Sequence, residues 1–172
     1  LLYSYMFLHP GAKLLFMGNE FAVTKEWDFQ SELQWDLLQY PNHSGMKYCV
    51  QQLNALYKTH PALYELQYEA SGFEWVELNQ RQEGIIAFKR NGKDPDQAIL
   101  VVFNMTPVPR HQFPIQVQGK TIWKEIFNSD DQAFWGSGNV KNQNVPCALL
   151  DATNQLMEIH LELPPLAAVV LK

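Results

Sequence analysis

Positive charge is scarce and scattered in this chain. Thirteen Lys and Arg stand against eighteen Asp and Glu in 172 residues, for a net charge of −5. A nucleic-acid surface needs clustered basic side chains, and none cluster here, so no nucleic-acid partner is expected. Long apolar runs are missing too. None reaches the roughly 18 residues of a membrane-spanning helix, so no membrane partner is expected. Cysteine is almost absent. Cys49 and Cys147 lie far apart in sequence, and two free thiols are expected rather than a disulfide. Two sulfurs cannot build a zinc site alone, and the histidines (His9, His43, His60, His111 and His160) lack zinc-ligand spacing. No metal and no cofactor is expected. G-x-S-x-G, P-loop and G-x-G-x-x-G motifs are also missing. Gly136-Ser137-Gly138 reads as a turn needing positive φ, not as a nucleophile site. Finally, there is no initiator Met and no signal peptide with a basic start and cleavage site. A chain that opens inside the apolar stretch Leu1–Leu8 reads as the tail of a larger cytoplasmic protein.

What is present is globular. Hydrophobic residues make up 47% and charged residues 18%, a composition that supports a packed core. Aromatics reach 13%, with five Trp. That suits a sugar-handling surface or a well-filled core, and the core is the ordinary use. Leu1–Leu8 reads as a helix end stopped by Pro10-Gly11. Lys13–Met17 reads as a short buried parallel strand that opens at Gly18 into Asn19-Glu20, as strands do at the rim of an α/β sheet or barrel. A polar-aromatic loop follows to Tyr40. Ser44 is the expected N-cap of the next helix. Met46, Cys49, Val50, Leu53, Leu56 and Tyr57 form its apolar stripe, and it stops before His60-Pro61.

From about Tyr64 the apolar period changes from 3.6 to 2. Met157, Ile159, Leu161 and Leu163 alternate with polar residues, as do Phe113, Ile115 and Val117. Ile99–Phe103 is continuously apolar and predicts a central strand covered on both faces. Other predicted strands are Phe73–Leu78, Ile85–Arg90, Thr121–Phe127 and Ala167–Leu171, separated by turn residues. The expected architecture is an α+β chain. Residues 1–62 read as a helix–strand–helix fragment, and residues 63–172 as an antiparallel all-β sandwich.

Carboxylates crowd the loop: Glu20, Glu26, Asp28, Glu32 and Asp36. A retaining glycosidase needs two carboxyl groups about 5–5.5 Å apart, and Glu20 with Asp28 is a conceivable pair. Spacing in an irregular loop sets no distance, so solvated loop charges with one buried structural carboxylate at Glu20 is the simpler reading.

Several segments taken together resemble the C-terminal part of bacterial glycogen (1,4-α-glucan) branching enzymes of the α-amylase superfamily. They are Lys13–Phe21, Glu26-Trp27 with Leu33-Gln34-Trp35, Gly72-Phe73-Glu74-Trp75, Asn104–Arg110 and Leu163–Ala167. The resemblance implies that residues 1–62 are the C-terminal end of a catalytic (β/α)8 barrel and residues 63–172 an all-β C-terminal domain. It implies an enzyme that transfers α-1,4-glucan chains to form α-1,6 branches, with α-glucan (glycogen, amylose) and the rest of the barrel as partners. The family's catalytic Asp, Glu and second Asp would lie upstream of Leu1, so no residue here is assigned as catalytic. Asn19, Glu20 and Trp27 are the expected substrate-side residues, with Glu20 buried and hydrogen-bonded at the rim. Trp27 and Trp35 would pack the loop or offer a stacking face. A glucan surface at Trp75, Trp123 or Trp135 is a further option. The alternative is a non-catalytic glucan-binding or barrel-capping sandwich of another hydrolase in the superfamily.

Overall fold

The computed structural model describes residues 1–78 and 82–172. Helix α1 (Leu2–Leu8) and helix α2 (Pro41–Thr59) come first. Among the described residues nine strands follow: β1 (Phe73–Glu77), β2 (Ile85–Arg90), β3 (Ile99–Asn104), β4 (Arg110–Gln118), β5 (Ile122–Asn128), β6 (Asn144–Pro146), β7 (Ala148–Asp151), β8 (Leu156–Leu163) and β9 (Ala167–Leu171). They pair antiparallel into a six-stranded sheet, β1-β2-β3-β9-β5-β6, and a three-stranded sheet, β4-β8-β7. Among the described residues, no helix is long and apolar enough to cross a membrane.

Side-chain alternation explains the layering. Ile99, Val101 and Phe103 of β3 join Ala168 and Val170 of β9 in one core. Leu100 and Val102 join Val169 and Leu171 in another. The first core lies against the helices, through Leu8, Val50, Leu53 and Leu56. The second lies between the two sheets, against Ile115, Ile159, Leu161 and buried Trp123. Both central strands therefore need apolar residues at every position, which is why they read as unbroken runs. The result is three layers: helices, large sheet, small sheet.

Three local expectations are corrected. The segment predicted as a strand over Lys13–Met17 joins no ladder among the described residues and has no regular secondary structure. Leu15 packs on the helix-side core, while Leu14 is 76% and Phe16 53% exposed. The apolar pattern marks what would be buried, but a parallel strand forms only where a partner supplies hydrogen bonds. The expected helix–strand–helix is thus helix–loop–helix. Ser44 is also not the N-cap of α2. The helix begins at Pro41, whose missing N–H is harmless in the first turn. The Ser44 hydroxyl instead donates back to the Tyr40 carbonyl at 3.1 Å. The third concerns Glu20 and is taken up below.

Both thiols are free. Cys49 faces the helix-side core, and burial pushes its pKa up to about 11, against a smaller opposing pull from the N-terminal ammonium. Cys147 is half-buried and shifted up by burial as well. The thiolate is the reactive form. Native chain at pH 8 should therefore label at Cys147 first with a thiol-specific disulfide reagent. Cys49 should react about 100-fold more slowly than it does in urea. Equal native and denatured rates at Cys49 would show that α2 does not cover the sheet.

Candidate functional site

The loop between α1 and α2 is held by local chemistry. Met17 and Gly18 take left-handed backbone, with Gly18 at φ 87°. A Cβ on Gly18 would lie 2.5 Å from a Val23 methyl, so glycine alone fits this bend. The chain then makes a 3-10 turn over Asn19–Phe21. Phe21 is fully buried and stacks on Trp35 with ring centroids 5.2 Å apart. His43 of α2 is hydrogen-bonded through Nδ1 to the Phe21 carbonyl at 2.9 Å. Tyr3 of α1 donates to the Asn19 carbonyl at 3.0 Å. The Gln34 side-chain carbonyl accepts from the Thr24 N–H and the Lys25 N–H, each at 3.0 Å. Both helices thus grip one turn, and Gln34 clips the far arm of the loop.

The expected site residues sit on this frame unequally. Asn19 is exposed. Glu20 is half-buried, not buried, and its carboxylate has no hydrogen bond or ion pair among the described residues. The 3-10 turn sends Phe21 inward, which leaves Glu20 facing out beside Tyr3, whose pKa is raised by burial and secondarily by the Glu20 charge. Trp27 is 64% exposed, with its ring 5.3 Å from Phe29. Met17 and Trp27 line a cleft of about 20 Å³. That holds a water, not a sugar ring. Asn19 and Glu20 do not line it. The three residues therefore share a loop but not a cavity. Of the two loop Trp residues, Trp35 stacks on Phe21 with one face and is still 48% exposed, and Trp27 is the more open.

Asp28 does not suit acid catalysis. The Ser31 hydroxyl and the Gln30 N–H donate to its carboxylate and hold its pKa below the usual carboxylate range. A general acid needs the opposite shift. Glu26, Glu32 and Asp36 are exposed. The loop carboxylates are turn-formers and surface charges.

A wider groove of about 570 Å³ runs along the small sheet, lined by Gln112, Asn142, Cys147, Glu158, His160 and Glu162 among others. Its polar side chains are tied to each other. His111 meets Glu162 at 2.6 Å, and His160 meets Glu158 at 3.0 Å. The Asn142 amide bridges the Glu125 carboxylate and the Glu162 carbonyl, each at 2.9 Å. Partial burial alone would raise the Glu162 pKa, but donors on Gln112 and His111 bring it below its ordinary value. The sequence carried a signal for this groove, since His160 and Glu162 alternate with apolar residues on one strand face. That signal does not reveal the loop carrying Asn142 that closes the groove.

Residues 75–172 match the family model described as "Alpha amylase, C-terminal all-beta domain". Over 171 residues, 99% of this chain, the sequence is 40% identical to the 1,4-alpha-glucan branching enzyme GlgB of Aquifex aeolicus (strain VF5), of which it covers 27%. It is 42% identical over 177 residues to the enzyme of that name from Marinobacter nauticus, covering 100% of this chain and 27% of the relative. The chain thus spans little more than a quarter of the length of these curated relatives, and the resemblance to branching enzymes runs along all of it. Among solved structures, the debranching enzyme from Nostoc punctiforme aligns with a TM-score of 0.56 at 13% identity, over 97% of this chain and 29% of that one. At that identity the likeness is one of fold.

Proposed function

Because this chain belongs to the family of alpha amylase C-terminal all-beta domains, we propose that it is the C-terminal part of a glucan branching enzyme. In this reading the whole protein cuts an α-1,4-glucan and transfers the freed chain to a 6-hydroxyl in glycogen synthesis, in the cytoplasm. Residues 1–62 complete the catalytic barrel, and residues 63–172 form the β domain behind it. The catalytic carboxylates are supplied by the barrel upstream. The observation that carries the reading is the 40% identity over 99% of the chain, loop and helices included, to a protein named for this activity. The exposed Leu14 and Phe16 support it: an apolar segment with alternate side chains bare is what a barrel strand presents without its neighbours.

The contribution of this part is then positional. The turn at Asn19–Phe21 sits where a barrel strand would end, and barrel active sites are built at that rim. Asn19 and Glu20 would face the glucan from that turn, with Trp27 on the far arm of the loop as an open ring. The large sheet carries the helices on one face, so the sandwich fixes where the rim stands.

A chimera tests this. This chain should replace the matching 27% of the Aquifex aeolicus enzyme with branching retained. The measurement is the fall in amylose–iodine absorbance together with new α-1,6 linkages by NMR. A folded chimera that makes no branches would overturn the reading. The isolated chain should make none, and turnover by pure material would overturn the upstream placement of the carboxylates.

A further inference from the structure

The loop after β5 holds one bulky side chain exposed on a backbone that its residue type disfavours. Trp135 has left-handed backbone, φ 67° and ψ 22°, and is 68% exposed. Left-handed geometry is unfavourable for any residue with a Cβ, and uncommon for bulky ones. The surrounding contacts impose it. Phe134 turns inward and stacks on Phe127 with centroids 5.4 Å apart. The Asp130 carboxylate accepts the Ser137 N–H at 2.9 Å, and the Asp130 carbonyl accepts the Gly138 N–H at 2.7 Å. Helix α2 closes from the other side. A Cβ on Gly45 would lie 3.1 Å from Trp135 N and Cβ, so a glycine in the second turn of α2 lets the backbones meet. The inward Phe134 and the locked turn leave the indole standing in solvent.

A hollow of about 310 Å³ opens beside it, lined by Pro41, Ser44, Gly45, Tyr48, Gln132 and Trp135 among others. That is the lower end of small-ligand pocket sizes. Two aromatic rings are exposed there, Trp135 and Tyr48. A carboxamide and hydroxyls stand at its edge. Its lining holds no Asp, Glu, Lys, Arg or His side chain. Anionic ligands such as phosphates find no cation to neutralise them there. A neutral polyhydroxylated ring fits: its C–H face lies on an indole and its hydroxyls reach amide and hydroxyl groups.

We infer that Trp135 and Tyr48 form a surface site for α-glucan, separate from the loop that carries Asn19, Glu20 and Trp27. The choice of α-glucan over other neutral sugars rests on the branching-enzyme reading; the site itself rests on the strained, exposed indole and the uncharged hollow.

The test uses Trp135→Gly in the whole 172-residue chain, because glycine accepts this backbone without strain. The variant should unfold at a higher urea concentration than the parent and bind maltoheptaose about tenfold more weakly, since aromatic stacking of this kind is worth about one decade. In the parent, maltoheptaose should shift the indole N–H resonance that Trp135→Gly lacks. Tyr48→Ala should weaken binding without raising the urea midpoint. Unchanged maltoheptaose affinity in Trp135→Gly, or a still Trp135 resonance while other indoles move, would overturn the site. The chimera should keep branching with Trp135→Gly in place, so branching reports on the branching-enzyme reading and maltoheptaose affinity reports on this site, and the two failures are told apart.

Discussion

Replacing Arg90 with Met should lower the unfolding free energy by about 3 kcal/mol. Arg90 ends β2, is completely buried, and among the described residues has no carboxylate partner. Its guanidinium donates to three main-chain carbonyls instead: Leu8 at 2.6 Å, Leu63 at 3.0 Å and Gly72 at 3.3 Å. Leu8 is the last residue of α1, Leu63 ends a 3-10 turn after α2, and Gly72 ends a third turn before β1. Helix and turn ends present carbonyls without intrahelical partners, and the local dipole favours a cation there. One planar fork satisfies all three ends, which a rigid guanidinium does and a point-charge ammonium does not.

Two effects oppose each other in this variant. Burial of the cation is unfavourable, and it pushes the Arg90 pKa down to about 10, slightly offset by Tyr57. Met removes that penalty. It also leaves the Leu8 and Leu63 carbonyls buried without the donor they had, at about 1–3 kcal/mol each. The Gly72 carbonyl keeps the Asn91 N–H at 3.1 Å. Two orphaned acceptors outweigh one relieved desolvation. Arg90→Lys should recover less than half of the loss, since a single ammonium does not reach along three separate carbonyl directions. Urea unfolding followed by Trp fluorescence and by far-UV circular dichroism measures this. A loss under about 1 kcal/mol would mean that water replaces the guanidinium, and that the helical layer is held by apolar contact alone.

How much of this was legible varies with how local each cause is. Ile85–Arg90 and Ala167–Leu171 form strands where their apolar patterns predicted them, because burial on defined faces is written residue by residue. The stripe Cys49, Val50, Leu53 and Leu56 of α2 is buried as its period predicted. β6 and β7 were not anticipated. β6 is three residues long and ends in Pro146, and Leu149 and Leu150 of β7 are both exposed, so neither shows an apolar alternation. The strand predicted at Lys13–Met17 shows the reverse error: a burial pattern was present and a ladder partner was not. Positive φ at Trp135 had no sequence signal, since the residue that ordinarily marks left-handed backbone is glycine. Its cause is the packing of Phe134 and Gly45, which are distant from each other in sequence. The outward placement of Asn19 and Glu20 comes from the same kind of cause, contacts of Phe21 with Trp35 and His43.

Gly72→Ala should cost about 2–3 kcal/mol, although Gly72 is not in the left-handed region. The obstacle is space. A Cβ at this position would lie 2.1 Å from the Leu66 carbonyl oxygen and 2.7 Å from the Leu66 Cβ. Backbone cannot yield as a flexible side-chain tip does, so the turn over Ala70–Gly72 must move. That turn is hydrogen-bonded on both flanks. Asn91 donates from its amide side chain to the Ser71 carbonyl at 3.1 Å, and its N–H reaches the Gly72 carbonyl. The same Gly72 carbonyl receives Arg90 Nε. Displacing it therefore loosens the fork that binds α1 to the sheet, and the two substitutions act on one network. Contacting residues are not expected to add. The double variant Arg90→Met with Gly72→Ala should lose less than the sum of the single variants, with a coupling of about 0.5–1 kcal/mol. The glycine that opens the Gly72-Phe73-Glu74-Trp75 segment is then required by a neighbouring carbonyl rather than by a bend. Strict additivity, or a Gly72→Ala chain as stable as the parent, would show that Leu66 retreats freely and that this turn plays no part in seating the helices on the sandwich.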